Sequence, residues 1–460
     1  MIDHTSGALE IAAAVKAGSV SAVEVTRAAL FRIEALNAPL GAFTAVTAER
    51  ALDEAAAVDA KVQAGDDPGP LAGVPFAVKN LFDVKGLATL AGSRINASHP
   101  PARDDAVLIQ RLNDAGAILL GALNMGEYAY DFTGENCHHG PSRNPHDPAR
   151  MSGGSSGGSG TALAAGLAAL TLGSDTNGSI RVPASFCGLF GLKPTFGRLS
   201  REGTFPFCFS LDHLGPLARS TADLTAAFDA MRPEADGTAV AATLGQGIDG
   251  LRIAVAGDYF AKGADPVAFE AVATVAAALG ASDTVVIPEA ARARAAAYVI
   301  TTAEGGNLHL DRLRTQAADF DPATRDRLLA GAMVPASWYL QAQRFRRWYH
   351  DRVMELFGHV DIILAPATPC VAPPIGQQTM VLDGVEMLVR PNIGIFTQPL
   401  SLIGLPVVAV PVRRGSGMPI GVQVVAAPGR EDLALRVAAV LEEMGVCAAP
   451  VAVGETSWGK

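Results

Sequence analysis

The 460-residue sequence predicts an α/β fold, one domain over residues 1–460 with a central twisted mixed β-sheet covered by helices on both faces. Three observations carry this expectation. Short apolar strands alternate with amphipathic helices from residue 70 onward, and the same β-α-β rhythm returns after residue 250. Hydrophobic residues make up 49% of the chain against 18% charged, enough for a large closed core.

The first 65 residues read as two cover helices. Ala8, Ile11, Ala12 and Val15 fall on one face of the first. After Gly18, Ser21-Ala-Val-Glu24 forms a capping box for a second helix whose stripe is Val25, Ala29, Ile33 and Leu36. In Pro70–Val78 the residues Val74, Phe76 and Val78 alternate as in a strand, which ends at Lys79. A helix over Asp105–Ala115, stopped by Gly116, leads into a strand over Ala117–Leu120. Further strands are expected at Leu251–Val255, Asp361–Leu364, Val407–Val410 and Gly421–Val425, and a last helix turns Leu433, Val437, Leu441 and Met444 inward. Residues 70–220 carry the motif-rich segments, and residues 221–460 complete the sheet. Arg344–Arg352 mixes basic and aromatic side chains. Phe345, Trp348, Val353 and Leu356 nevertheless sit at helical spacing, so a helix with a packed stripe is expected there rather than an RNA-binding patch. Residues 232–250, rich in Gly, Ala and Asp, read as a surface loop.

Lys plus Arg number 36 and Asp plus Glu 46, a net charge of −10 that argues against nucleic acid and anionic membranes as partners. The five cysteines are odd in number and show no C-x-x-C spacing, which disfavours a disulfide framework or a zinc ribbon. No H-E-x-x-H or comparable ligand set occurs, so no metal is expected. The N-terminal residues lack a basic-then-apolar leader, and no uncharged apolar run reaches the roughly 20 residues that cross a bilayer. A cytoplasmic protein is expected.

The densest signal is Ser152-Gly-Gly-Ser-Ser-Gly-Gly-Ser-Gly160, followed by Thr161–Leu170, expected as a helix apolar on nearly every face, and then by Gly173–Pro183. A flexible linker would not open a buried helix. The glycines are read instead as permitting sharp bends and close backbone approach, with N–H groups left free to donate. Neither a Walker sequence nor a dinucleotide-binding fingerprint is present, which disfavours nucleotides. Gly153-Gly-Ser155-Ser-Gly157 matches the G-x-S-x-G nucleophile elbow, which needs a histidine partner. The candidates His213, His309, His350 and His359 all lie outside Gly-rich or otherwise marked loops.

Taken together, Lys79, the Gly-Gly-Ser-Ser-Gly-Gly block and Gly173-Ser-Asp-Thr-Asn-Gly-Ser-Ile-Arg181 resemble the amidase signature family. The resemblance continues through Asp361–Pro369, Gly404–Pro411 and Pro419–Gln423. It implies a Ser-Ser-Lys triad on Lys79, Ser155 and Ser179, with Ser179 as nucleophile and Ser155 as a relay that follows a cis peptide bond. It further implies an oxyanion hole made by the backbone N–H groups of Thr176, Asn177, Gly178 and Ser179, a loop braced by Asp175 and Arg181, and no cofactor. The chemistry is coherent: a serine hydroxyl needs a base, and a lysine can be that base only when burial keeps its amine neutral. One departure stands out. The family usually carries Gly-Gly before the nucleophile where this chain has Asn177-Gly178. Asn tolerates positive φ better than other non-glycine residues, so the turn is expected to hold, with the Asn177 side chain a candidate substrate contact.

Within that family the stretch Glu127–Gly140, together with Asp-Thr-Asn-Gly-Ser, is most similar to the carboxybiuret (biuret) hydrolases of cyanuric acid breakdown, which release ammonia from small ureido compounds. An anionic, amide-rich substrate calls for an arginine and hydrogen-bonding side chains, and Tyr128, Tyr130, Asn136, Ser156, Arg312 and Arg327 are the candidates. The resemblance also implies assembly as a homo- or hetero-oligomer and a small accessory subunit. Two alternatives remain open at this point: the glutamine-hydrolysing amidase subunit of a tRNA-dependent amidotransferase, and a catalytically silent scaffold.

Overall fold

The computed structural model describes residues 2–233, 237–415 and 417–452. In chain order the strands are β1 (Phe43–Val46), β2 (Pro75–Lys79), β3 (Ile118–Leu123), β4 (Arg143–Asn144), β5 (Asp147–Met151), β6 (Leu170–Asp175), β7 (Phe190–Lys193) and β8 (His213–Ala218). They continue as β9 (Ile253–Ala256), β10 (Asp283–Val285), β11 (Ile362–Pro366), β12 (Thr379–Leu382), β13 (Val385–Leu388), β14 (Val407–Val412) and β15 (Ile420–Ala426). Eleven of them form one mixed sheet in the order β1-β3-β2-β6-β8-β7-β14-β15-β11-β9-β10, and β4-β5 and β12-β13 are separate two-stranded ribbons. Parallel pairing joins β2 to β3 and to β6, and joins β9 to β10 and to β11; the remaining pairs of the large sheet are antiparallel.

Every residue of β2, β6, β8, β11, β14 and β15 is buried. Successive side chains of a strand point to opposite faces, so both faces of the central sheet are covered. The cover includes the helices Gly157–Ala164, Arg181–Cys187, Pro266–Ala278 and Glu431–Glu443.

The N-terminal helices form as their stripes predict. Ala8, Ile11, Ala12 and Val15 are buried in Ala8–Lys16, and Ser21 and Glu24 close a reciprocal capping box at the start of Ala22–Leu40. Four details differ from the sequence reading. The first 65 residues hold, besides the two expected helices, the strand β1 and a third helix over Ala48–Ala64. The helix expected over Thr161–Leu170 runs from Gly157 to Ala164, and Leu170 already opens β6. Trp348 is 43% exposed while its neighbour Tyr349 is buried, because the inward face of Ala336–Leu356 passes through Ala342, Tyr349 and Val353. Met444 lies one residue past its helix and is exposed. The 232–250 segment, described apart from residues 234–236, contains a 3₁₀ turn over Val240–Gln246. None of the described helices is long and apolar enough to cross a membrane.

Candidate active site

The parallel group β3-β2-β6 sends the carboxyl ends of its strands to one edge, where α/β sheets place their ligands. Lys79 is the last residue of β2, and Asp175 the last of β6. The Lys79 side chain is fully buried, and its Nζ lies 2.6 Å from Ser155 Oγ and 2.8 Å from Ser174 Oγ. Burial pushes this amine down from 10.5 to about 7, against the opposing pull of Asp212, Asp175 and Asp131.

The Gly/Ser tract brings Ser155 to that amine. The Gly154–Ser155 peptide is cis, the Ser155 carbonyl accepts from the Gly126 N–H at 3.1 Å, and the Gly158 N–H donates to Asn124 O at 2.9 Å. A Cβ on Gly158 would lie 2.5–2.6 Å from backbone atoms of Ala42 and Asn124, so only glycine lets the tract dock against the end of β3.

Ser179 is 3% exposed, lines a cavity, and its hydroxyl has no hydrogen-bond partner among the described residues. Thr176, Asn177, Tyr130, Tyr298, Thr301, Arg327 and Gln398 share the cavity wall. The turn that presents Ser179 is built on Asp175. Its Oδ1 accepts the Gly178 N–H at 2.7 Å and its Oδ2 accepts the Ile180 N–H at 3.2 Å. Arg181 grips the same carboxylate through Nε and Nη2, both at 2.9 Å, and spends its remaining donors on Gln423 Oε1, Thr397 O and Ser401 Oγ. Burial would raise the Asp175 carboxyl, but the Arg181 guanidinium, with Lys193 and His213 nearby, holds it well below the usual carboxylate range.

The expected oxyanion donors therefore divide. The Gly178 N–H is aimed at Asp175, not at the cavity, because the turn needs it to close on that carboxylate. The Asn177 and Ser179 N–H groups have no partner among the described residues. Thr176 lines the cavity and its hydroxyl donates to Asp212 Oδ1 at 2.6 Å. The positive φ of the turn falls on Gly178, at +139°, while Asn177 is not among the positive-φ residues. Position 177 thus has no need of glycine, which is why the departure from Gly-Gly leaves the turn intact.

The six expected substrate contacts also divide. Tyr130 and Arg327 line the cavity, with the guanidinium 3.9 Å from the centre of the ring. Tyr128 does not; its ring lies 4.0 Å from that of His309 and its hydroxyl donates to Asn96. Arg312 stacks over Tyr128 and Phe205. Asn136 is consumed by the carbonyls of Gly92 and Met125 and by the N–H groups of His138 and His139. Ser156 bonds to the backbone of Ser174. Folding turns Tyr128, Asn136 and Ser156 into the core, and Arg312 is half-buried against their neighbours, so these four hold the surrounding framework.

Ser174, Thr301, Thr397 and Gln398 escaped the sequence reading. Ser174 stood inside the quoted signature, and β6 beside β2 brings it to Lys79. The other three arrive from segments more than a hundred residues away, with no local motif. His213 is buried with Nδ1 against the carbonyls of Asp175 and Leu211, and among the described residues the Ser155 hydroxyl is bonded by Lys79 and by no histidine, so the nucleophile-elbow reading finds no support. The five cysteines are free, and no group of three or more ligating side chains that could hold a metal occurs among the described residues.

A fold of this kind with this site belongs to the amidase family, whose family model matches residues 24–435. The chain is a hydrolase of carbon–nitrogen bonds other than peptide bonds. It is 54% identical over 449 residues to AtzE, the 1-carboxybiuret hydrolase subunit of Pseudomonas sp. (strain ADP), covering 95% of this chain and 98% of the relative. It is 38% identical over 486 residues to a glutamyl-tRNA(Gln) amidotransferase subunit of Salinispora arenicola (strain CNS-205), covering 96% and 98%. Among solved structures, a vestigial protein complex described as revealing the evolutionary origins of an s-triazine catabolic enzyme contains a chain that matches with a TM-score of 0.95 at 53% identity, over 96% of this chain and 100% of that one.

Proposed function

We propose that the chain releases ammonia from a small ureide, 1-carboxybiuret or biuret, using Ser179 as nucleophile, Ser155 as proton relay and Lys79 as base. The carrying observation is the buried Lys79 amine, pushed down to about 7 and 2.6 Å from Ser155 Oγ, together with Ser179 in the wall of a cavity. The neutral amine accepts the Ser155 proton while Ser155 takes that of Ser179, whose Oγ attacks the carbonyl carbon. The Asn177 and Ser179 N–H groups, with that of Thr176, receive the negative oxygen, a contribution of about 3–4 kcal/mol per donor in hydrolases of this kind. The relay then returns a proton to the leaving nitrogen, ammonia departs, and water cleaves the acyl-enzyme.

Arg327 supplies a charged donor for the carboxylate end of the substrate. Greater identity to the carboxybiuret hydrolase than to the amidotransferase supports a ureide over glutamine. Intact Lys79, Ser155 and Ser179 speak against a silent scaffold. In the same reading the enzyme works in the cytoplasm, in an oligomer with a small accessory subunit; the descriptions of both relatives as subunits support an assembly.

The test is ammonia release from 1-carboxybiuret, biuret, allophanate, glutamine and simple aliphatic amides. The highest kcat/KM is expected for 1-carboxybiuret or biuret, with none for Ser179→Ala. A highest value for glutamine would overturn the assignment.

A further inference from the structure

Among the side chains lining the cavity, Asn177 has an unusual hydrogen-bond balance. It is 7% exposed, its Nδ2 donates to Thr301 Oγ1 at 2.8 Å, and its backbone carbonyl accepts from Thr397 Oγ1 at 2.6 Å. Its Oδ1 is buried and has no partner among the described residues. An orphaned acceptor of this kind is unfavourable unless a ligand completes it. Because Asn177 stands two residues before the nucleophile and lines the same cavity, what completes it lies beside the scissile carbonyl. Its backbone bears no positive φ, so residue 177 is placed for its side chain and not for a strained turn.

We infer that Asn177 is the residue that selects a ureido group over a carbon-chain amide, its Oδ1 accepting the N–H that flanks the scissile carbonyl, with Thr301 as the positioning residue that turns the side-chain amide. The inference rests on the proposed ureide hydrolysis and deepens it. In a ureide the atom on the far side of the carbonyl from the leaving nitrogen is an N–H; in glutamine or an aliphatic amide it is a methylene. A methylene leaves Oδ1 unpaired in a closed site. Sites built to bond an N–H or O–H reject analogues lacking it by as much as ~10⁴–10⁵-fold, far more than a shape difference provides.

Biuret and malonamide form a matched pair, differing only in a central N–H against CH₂. Their inhibition constants are measured against 1-carboxybiuret turnover in the wild type, Asn177→Gly and Thr301→Val, with melting curves to verify folding. Wild type is expected to bind biuret at least ~100-fold more tightly than malonamide. In Asn177→Gly that ratio is expected to fall to within a few-fold of unity, and in Thr301→Val to fall part of the way. A purely structural role for Asn177 would weaken both ligands together and keep the ratio, which overturns the inference. An amide turned the other way would present a donor to the carbonyls that the ligands share, giving a wild-type ratio near one, and overturns it too. If neither 1-carboxybiuret nor biuret is hydrolysed, the functional assignment itself has failed. The two ligands are then compared by their protection of Ser179 from a fluorophosphonate, where equal protection still refutes the role of Asn177.

Discussion

Lys79 Nζ and Ser155 Oγ approach to 2.6 Å across a sequence separation of 76 residues, in a place where the lysine has no exposed surface. The amine is neutral only above about 7, and the proposed base is active only when neutral. The rate of Ser179 acylation should therefore rise with pH through a midpoint near 7 and level off above it. A pH profile of phosphonate labelling checks this. Lys79→Arg, which stays protonated across that range, should remove the rising limb and nearly all labelling.

The same shift has a cost in stability. Lys79 titrates near 7 when folded and at 10.5 when unfolded, so between those values the unfolded chain binds more protons and stability declines as pH falls from 10.5 to about 7. At pH 8 this amounts to about 3 kcal/mol. Lys79→Met should abolish turnover yet flatten that decline. Denaturant titrations between pH 7 and 10 read the difference; Lys193, also lowered to about 7 by burial, preserves a residual slope in the variant.

Ser155 and Ser179 should separate by degree. Removing a relay deprives the attack of general-base assistance, a loss of roughly 10²–10⁴-fold in kcat for Ser155→Ala. Ser179→Ala removes the attacking oxygen and should leave no acyl-enzyme detectable by mass spectrometry after rapid quench.

Asp175 and Arg181 form a buried ion pair with both side chains wholly enclosed. Breaking such a pair from one side typically costs about 3–5 kcal/mol, because the remaining charge stays buried and unpaired. Arg181→Leu should lower the denaturation midpoint accordingly and reduce activity by releasing the turn before Ser179. Calorimetry and turnover measured on the same preparation check both effects.

Gly178→Ala should be more harmful than its size suggests. A Cβ there would stand 2.3 Å from Thr397 Oγ1 on a backbone at φ +139°, so the turn must shift or Thr397 must leave the Asn177 carbonyl. At least a 100-fold loss of kcat/KM is expected, with a small change in KM; unchanged kinetics would show that the turn has slack.

Much of the site was legible because its residues cluster in two short segments of unusual composition. Ser155, Ser179, Asp175 and Arg181 all lie between 152 and 183, where Gly-rich bends announce close approach and the resemblance to the amidase signature family marks Asp175 and Arg181 as the brace of the loop. Lys79 was marked by its position at the end of an uncharged strand. The strands β6, β7 and β8 were harder to see: fully buried on both faces, they lack the alternation that reveals a strand, and part of the approach to β6 reads as helix because it is rich in Ala and Leu.

Sequence alone established the class of reaction, through the resemblance its Gly/Ser block and Gly173–Arg181 carry to the amidase signature family, and the proposed nucleophile Ser179 and base Lys79 come from that same resemblance. It could not determine which polar side chains reach the cavity. Tyr128, Asn136 and Ser156 have the right chemistry but are turned into the core, and Arg312 stacks on the Tyr128 ring outside the cavity, whereas Thr301 and Gln398 arrive from distant helices. Nor could it show that the Gly178 N–H is taken by Asp175. Only the tertiary structure decides these matters, because the free energy of a buried polar atom depends on the partners that folding brings within hydrogen-bond distance, and those partners have no fixed separation along the chain.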